Sequence, residues 1–188
     1  MRTFIVSDTS LLLSFVCANE HDLLIKFSGA DPIYIPEAVA NEMERKLNEP
    51  RFSCGRSRWM RLKSSQHIEI FEDNDGLLSI VRGFAGFNYT YQGGLAKNLG
   101  EFMCIAHCIQ EQEKGARVAL LADDGDARRI AQKRSIPHFG SEQVLLRAIQ
   151  LGLLTTMSEA RKTWSKLSEF DIHVPFDSTA LSNPATYR

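Results

Sequence analysis

The chain has 188 residues, of which 44% are hydrophobic, and a formal net charge of -1 at neutral pH. This composition predicts one domain of ordinary size with a substantial core, and it argues against two full domains. The near-zero charge argues against binding to nucleic acid through a general positive field. Any such binding must therefore depend on local basic patches.

Targeting and redox features indicate a reducing compartment. The start, MRTFIVSD, reaches an acid too early for a signal peptide, and no apolar run approaches the roughly 18 residues of a membrane span. The chain has four cysteines, Cys17, Cys54, Cys104 and Cys108. Most of them lie in apolar, helix-like sequence, and their spacings are not those of a disulfide framework. We therefore expect a cytoplasmic protein without disulfides and without a membrane segment.

Short apolar runs alternate with helix-period segments in the first part of the chain, which is the pattern of a βαβα fold. Strands are predicted at residues 3–7, 33–35 and 67–71. Helices are predicted at residues 9–17, 20–27 and 36–49. Pro36 is expected inside the first turn of its helix, where the missing N–H costs nothing.

The pattern continues to the end of the chain. Strands are predicted at residues 118–121 and 136–139, and helices at 127–133, 141–151 and 158–167. Ser141 is the expected N-cap and Gly152 the expected C-terminal stop of the second of these helices. The glycine-rich, aromatic segment 83–94 predicts a mobile loop. Strands interleaved with helices predict a three-layer α/β fold, with a central mostly parallel sheet flanked by helices.

Acids occur where such a sheet forms its sites. Asp8 follows the first strand directly, at the carboxyl edge where ligands bind, and it also suits the N-cap of the next helix. Glu42 and Glu101 border the apolar stripes of their helices, where a carboxylate needs a partner or a metal. The alternatives are a surface position for Glu42, and for Glu101 a capping box that begins at Asn98.

Three acids within four residues follow the strand at 118–121. Crowded carboxylates raise one another's pKa unless a cation neutralises them. Mg²⁺ and Mn²⁺ prefer oxygen ligands, and one or two such ions suit phosphodiester hydrolysis. The predicted metal-binding residues are Asp8, Glu42, Glu101, Asp123, Asp124 and Asp126.

Four segments of the chain resemble the PIN-domain nucleases. They are FIVSDTSLLL, IPEAVANEM, NLGEFMCIAHC and LLADDGDARRIA, the last followed by IPHFGSEQVLLRAIQLGLL. The resemblance implies a PIN-like nuclease domain over residues 1–153, with residues 154–188 as a C-terminal helix and irregular tail. It also implies Mg²⁺ or Mn²⁺ as cofactor and a catalytic quartet of Asp8, Glu42, Glu101 and Asp124.

Similar members of that family include the ribonuclease toxins of bacterial VapBC toxin–antitoxin pairs. This similarity implies RNA as substrate, and a small antitoxin protein or a second copy of the chain as partner. Basic residues are concentrated at 51–63 and at 127–134. The first stretch, which contains a tryptophan, could hold RNA by phosphate pairing and base stacking, or could be plain solvated surface. The predicted RNA-binding residues are Arg56, Arg58, Trp59, Arg61 and Arg128.

Two alternatives remain open on the sequence. Cys104, His107 and Cys108 could form a zinc cluster on one helix, or could lie along its apolar face. The chain could also be a catalytically weak PIN-fold binding or regulatory protein that acts through the aromatic segment 83–94 and the C-terminal tail. Metal dependence separates this second function from the ribonuclease.

Overall fold

A five-stranded parallel sheet lies at the centre of the computed structural model, which describes residues 3–86, 98–170 and 172–187. The strands are β1 (Thr3–Ser7), β2 (Ile33–Pro36), β3 (Ile68–Phe71), β4 (Arg117–Leu121) and β5 (His138–Phe139). Their order across the sheet is β3-β2-β1-β4-β5, and every neighbouring pair is parallel. The predicted α/β fold class is confirmed.

Nine α-helices in the described residues flank this sheet. They are α1 (Thr9–Cys17), α2 (His21–Ser28), α3 (Glu37–Lys46), α4 (Arg56–Lys63), α5 (Asp75–Ala85), α6 (Leu99–Glu113), α7 (Gly125–Lys133), α8 (Ser141–Gln150) and α9 (Met157–Ser168). α6 packs across β1, β2 and β4, while α1 packs against α2 and α9. Within those same ranges, no helix has the length and apolar character needed to cross a bilayer.

Two helices and one helix start differ from the sequence prediction. α4 and α5 were not predicted, and α5 includes residues 83–85, so that part of the predicted loop was wrong. The start of α5 is nevertheless well defined, because the Asn74 side chain accepts a 3.2 Å hydrogen bond from Leu77 N–H. Pro36 ends β2 and precedes the first residue of α3, so it is not inside the helix. Residues 87–94 lie outside the described residues.

The C-terminal segment belongs to the main core. The side chains that it contributes to the same buried cluster as the sheet are Leu154, Ala160, Trp164, Leu167, Phe170, Ile172, Phe176 and Leu181. The predicted irregular tail also contains three short 3-10 helices, at Phe176–Ser178, Ala180–Ser182 and Pro184–Tyr187. Residue 153 therefore marks a change in sequence pattern and not a break in packing.

The strand order reverses between β1 and β4. From β1 the chain moves outward to β2 and β3, then crosses through α5 and α6 to reach β4 on the other side of β1. Ser7 pairs with Leu121, and Asp8 N–H donates a 3.0 Å hydrogen bond to the Leu121 carbonyl. In open parallel sheets the crevice at such a reversal is where ligands bind. The residues that follow β1 and β4 therefore lie side by side at the edge where a site is expected.

Candidate active site

Asp8 is the most buried of the six predicted acids, at 1% exposed. It caps α1, and its Oδ1 accepts a 3.0 Å hydrogen bond from Leu11 N–H. Its Oδ2 is buried and has no hydrogen-bond partner among the described residues. Burial first, and then the charges of Asp123, Glu101 and Asp124, raise the pKa of this carboxyl well above its usual range, although the Leu11 bond opposes them. A carboxyl group in this position requires a proton or a cation.

Glu42 lies where α1, α3 and α6 meet. Its Oε2 accepts a 2.7 Å hydrogen bond from the Thr9 hydroxyl, and its Oε1 lies 3.6 Å from the Arg45 guanidinium. A Cβ built on Gly100 would lie only 3.0 Å from Glu42 Oε2 and 3.2 Å from Thr9 Oγ1. The small residue in α6 thus leaves the space that the Glu42 carboxylate occupies. The side chain is 31% exposed, so it is held at the corner of the site and does not extend into bulk solvent.

Glu101 is a partly buried acid at the start of α6. Burial, followed by the charges of Asp124, Glu42 and Asp126, raises its pKa from 4.5 to about 7. Asn98 precedes α6 with a φ of 60° and makes no side-chain capping bond, so the capping-box alternative for Glu101 is not observed. The side chain instead lines a cavity at the sheet edge. Burial and the charges of the neighbouring acids thus both oppose the ionisation of Glu101.

The three acids after β4 have three different environments. Asp124 caps α7 through Oδ1, which accepts hydrogen bonds from Asp126 N–H at 2.7 Å and Ala127 N–H at 2.9 Å. Asp126 is exposed and pairs with Arg129 at 2.6 Å. Because Asp124 lines the cavity and raises the pKa of Glu101, it belongs to the acidic site. Asp126 lies at its periphery.

Asp123 joins the end of β4 to the start of α8. Its Oδ1 accepts a 2.8 Å hydrogen bond from Ser141 N–H, and its Oδ2 accepts a 2.6 Å bond from the Ser141 hydroxyl. A Cβ on Gly140 would lie 2.6 Å from Asp123 Oδ1, so a larger residue there would displace the carboxylate from Ser141. Ser141 was predicted as the N-cap, but Gly140 holds that position and Ser141 is the first helical residue. Asp123 adds negative charge beside Asp8 while both of its oxygens bind Ser141.

A cavity of about 360 Å³ opens beside these acids. The polar residues that line it include Ser10, Glu101, Asp123, Asp124, Arg128 and Glu142. Trp164, Ile172, His173 and Val174 complete its lining from the C-terminal segment. No pattern in the sequence connected this segment to the site, because its approach depends on how α9 packs against α1.

The donor set suits a hard cation. All the candidate ligands are carboxylates, which Mg²⁺ and Mn²⁺ prefer, and no described group forms a hydrogen bond with Asp8 Oδ2. Within residues 3–86, 98–170 and 172–187, no group of three or more His, Cys, Asp or Glu side chains is arranged as a ready metal centre. Glu101, Asp123 and Asp124 line the cavity, whereas Asp8 and Glu42 lie behind its lining. Joint binding of one ion by these acids stays a prediction.

The basic stretch on α4 lies away from the acids. Arg58 donates hydrogen bonds of 3.1 and 2.9 Å to the carbonyls of Val16 and Cys17, at the end of α1 opposite to Asp8. A helix of nine residues places these ends about 13 Å apart. Arg56 donates to the carbonyl of Leu47 at 3.2 Å.

Two of the predicted RNA contacts therefore have structural roles. Arg56 and Arg58 bind main-chain carbonyls, and their side chains secure the turns around α4. Trp59 is 1% exposed and packs in the core, so it presents no ring face to a base and that prediction was wrong. Arg61 is exposed on the same helix. Arg128 lines the cavity, and its contact with RNA stays a prediction.

The cysteines of α6 do not combine with His107. His107 is 3% exposed and its Nε2 lies 2.9 Å from Asp73 Oδ1, while Asp73 Oδ2 accepts a 2.8 Å bond from Ala38 N–H. Cys104 donates to the Ser7 carbonyl at 3.3 Å, and burial raises the pKa of this thiol and of the Cys108 thiol. The zinc alternative is therefore unsupported. The His107–Asp73 pair instead joins α6 to the start of α3, a contact that sequence spacing gave no sign of.

No protein-family model matches the chain, and no curated protein matches it. The features of the molecule that bear on its function are the acids, the cavity and the position of both at the strand reversal.

Proposed function

We propose that this protein is a PIN-like, metal-dependent ribonuclease that hydrolyses phosphodiester bonds of RNA with Mg²⁺ or Mn²⁺. The observation that carries the proposal is Asp8. It is a buried carboxyl group at the strand reversal, with one oxygen that has no partner among the described residues and three further acids close enough to raise its pKa. Structural carboxylates at helix starts do not need this arrangement, because one acid suffices for a cap.

Three carboxylates and a supporting fourth would hold the metal. Asp8, Glu101 and Asp124 lie around the crevice between β1 and β4, and Glu42 is held beside them by Thr9. Divalent ions bound by such acids acidify water and neutralise charge that develops on phosphate oxygens. The protein's own part is to keep the carboxylates in place before the ion arrives. The capping bonds of Asp8 and Asp124 and the Thr9–Glu42 bond do this.

Arg128 supplies the positive charge that an RNA backbone needs at this edge. It follows Asp124 by one helical turn on α7 and lines the cavity with it. Without a cation the acids would repel a phosphodiester, so the substrate and the metal are expected to bind together. The resemblance to the VapBC-type toxins further supports a small antitoxin protein, or a second copy of the chain, as a partner.

The test is metal-dependent cleavage of a mixture of labelled single-stranded RNAs. We expect cleavage with Mn²⁺ or Mg²⁺ and none with EDTA. We expect Asp8→Asn and Asp124→Asn to lose on the order of 10²-fold or more of the rate, as removal of a central electrostatic group does. Asp22→Asn is the matched control, because Asp22 is an exposed acid in the first turn of α2. This control should cleave at the wild-type rate.

Thermal melting with and without Mn²⁺ accompanies the cleavage assay. An ion that binds only the folded state raises the melting temperature, and loss of a ligand should remove most of that rise. Asp124→Asn should leave the metal-free protein as stable as wild type or more so, since it relieves repulsion. If wild-type protein shows neither a metal-induced rise nor cleavage, the ribonuclease proposal fails in favour of a non-catalytic binding protein.

A further inference from the structure

The cavity beside the acids has two chemically different walls. One wall carries carboxylates and Arg128, and the other is formed by Trp164, Ile172, His173 and Val174 of the C-terminal segment. The volume of about 360 Å³ falls in the range of roughly 300–1,000 Å³ that small-ligand sites occupy. A ligand that fills it must therefore combine a charged part with an apolar part.

The C-terminal wall is held in place from within. Trp164 is 5% exposed, and its indole N–H donates a 3.0 Å hydrogen bond to the Val174 carbonyl. Ile172 is buried at 6% exposed, whereas Val174 is 52% exposed. The apolar side chain of Val174 is thus half exposed beside a charged site, and the indole of Trp164 holds its main chain.

Contacts on both sides of the wall hold its main chain in place. Upstream, Arg51 donates hydrogen bonds to the carbonyls of Glu169 and Phe170. Downstream, the Arg161 guanidinium lies 4.3 Å from the centre of the Phe176 ring and pairs with Asp177 at 2.7 Å. Residues 172–174 are therefore anchored at both ends. The segment is a built part of the site.

We propose that this wall is a nucleobase subsite. The ribonucleotide next to the scissile phosphate would lie with its phosphate at Arg128 and the acids, its base against the exposed side chain of Val174, and the polar edge of the base at His173. The buried Trp164 would hold the main chain of Val174 from behind. This inference rests on the proposed function, because it takes RNA as the substrate. A base suits the wall since it has a flat apolar face and a hydrogen-bonding edge.

The acids and the wall belong to different segments of the chain. The acids that carry the proposed chemistry lie within residues 1–153, whereas the wall lies in the C-terminal segment. Sequence preference in cleavage would then depend on residues 172–174, and chemistry on the acids. Substitutions in the wall should change which RNA is cut without removing metal binding.

The experiment follows the two indole N–H signals of the protein by NMR, since the chain has two tryptophans. The probes are AMP, GMP, CMP and UMP with Mg²⁺, and the four nucleosides in EDTA, which test the wall without metal or phosphate. The Trp164 signal should shift saturably, with unequal affinities among the bases. The Trp59 signal should not move, because that ring packs in the core on α4.

Two variants test the wall itself. Val174→Asp and His173→Ala should each weaken nucleoside binding about five- to tenfold, the size expected for loss of part of a base contact. Leu153→Asp is the matched control, because Leu153 is a 42% exposed apolar residue that does not line the cavity. All three residues are exposed enough that the variants should melt close to wild type.

The outcomes separate the two proposals. Nucleoside binding that moves the Trp164 signal, without RNA cleavage by the wild type, supports the subsite and overturns the ribonuclease. RNA cleavage together with an unmoved Trp164 signal overturns the subsite alone. Wild-type nucleoside affinity and wild-type cleavage preference in Val174→Asp and His173→Ala would also overturn it.

Discussion

The Thr9 hydroxyl donates a 2.7 Å hydrogen bond to Oε2 of Glu42 and so ties the first turn of α1 to α3. Thr9 directly follows the buried Asp8, so this bond places two of the site's carboxylates relative to each other. Gly100 completes the arrangement, because its lack of a side chain lets α6 approach both groups. Three helices thereby meet at one carboxylate.

Gly100→Ala should impair the site by displacing Glu42. The added methyl group would lie 3.0 Å from Oε2, so we expect a smaller Mn²⁺-induced rise in melting temperature and about tenfold slower RNA cleavage. The control is Gly83→Ala, which is also in a helix but whose methyl group would meet no described residue within 4 Å, and it should stabilise the protein by up to about 1 kcal/mol. Equal metal responses in the two variants would show that the placement of Glu42 does not matter.

Stability without divalent metal should fall as pH rises through the titration of Glu101. The pKa of Glu101 is raised from 4.5 to about 7, so the folded state holds a proton that the unfolded state has released in this window. Stability from this group is complete below about pH 4.5 and is lost by about pH 7. As pH rises through this window, the melting temperature of Glu101→Gln should fall by on the order of 2–4 °C less than that of wild type. The effect is this small because the Glu101 side chain is partly exposed. An equal fall in melting temperature for the two proteins between pH 4.5 and 8 in EDTA would contradict this.

Ser141→Ala should destabilise the fold through Asp123. The substitution removes the 2.6 Å hydrogen bond to a carboxylate at the end of β4, which we expect to cost about 1–3 kcal/mol in the free energy of unfolding. Gly140→Ala should cost at least as much, because its methyl group would meet Asp123 Oδ1 at 2.6 Å. Urea denaturation measures both effects, with Ser57→Ala on the exposed face of α4 as control. If both variants were within about 0.5 kcal/mol of wild type in stability, the contact of Asp123 with the start of α8 would not stabilise the fold.

Arg128→Ala should weaken RNA binding, whereas Arg58→Ala should lower stability. Arg128 lines the cavity, so its loss should weaken RNA binding and reduce the slope of log affinity against log salt by about 1. Arg58 binds the carbonyls at the end of α1, so its loss should cost about 1–3 kcal/mol of stability with an unchanged salt slope. Fluorescence anisotropy and urea melts on both variants give the comparison. If only Arg58→Ala reduced the salt slope, RNA would contact α4 and not Arg128.

Local pattern was enough to predict the strands and the acids that follow them. Buried runs at 3–7 and 118–121 are strands in the structure, and parallel pairing brings Asp8 and Asp124 to one edge whatever the loops do. Gly152 ends α8 with a φ of 71°, as its position after the last apolar residue predicts. These features depend on neighbours in the chain or on one strand pairing, so the sequence by itself determined them.

Packing between distant segments decided the rest. Arginine and tryptophan on α4 look equally suited to RNA in the sequence, but α4 packs at the far end of α1, where Arg58 caps carbonyls and Trp59 enters the core. Asp123 and Asp124 are adjacent in the chain, yet only the first meets Ser141, because α8 begins beside it. The wall at residues 172–174 reaches the acids through the packing of α9. Sequence spacing does not encode these contacts, since each depends on the relative placement of elements that are far apart along the chain.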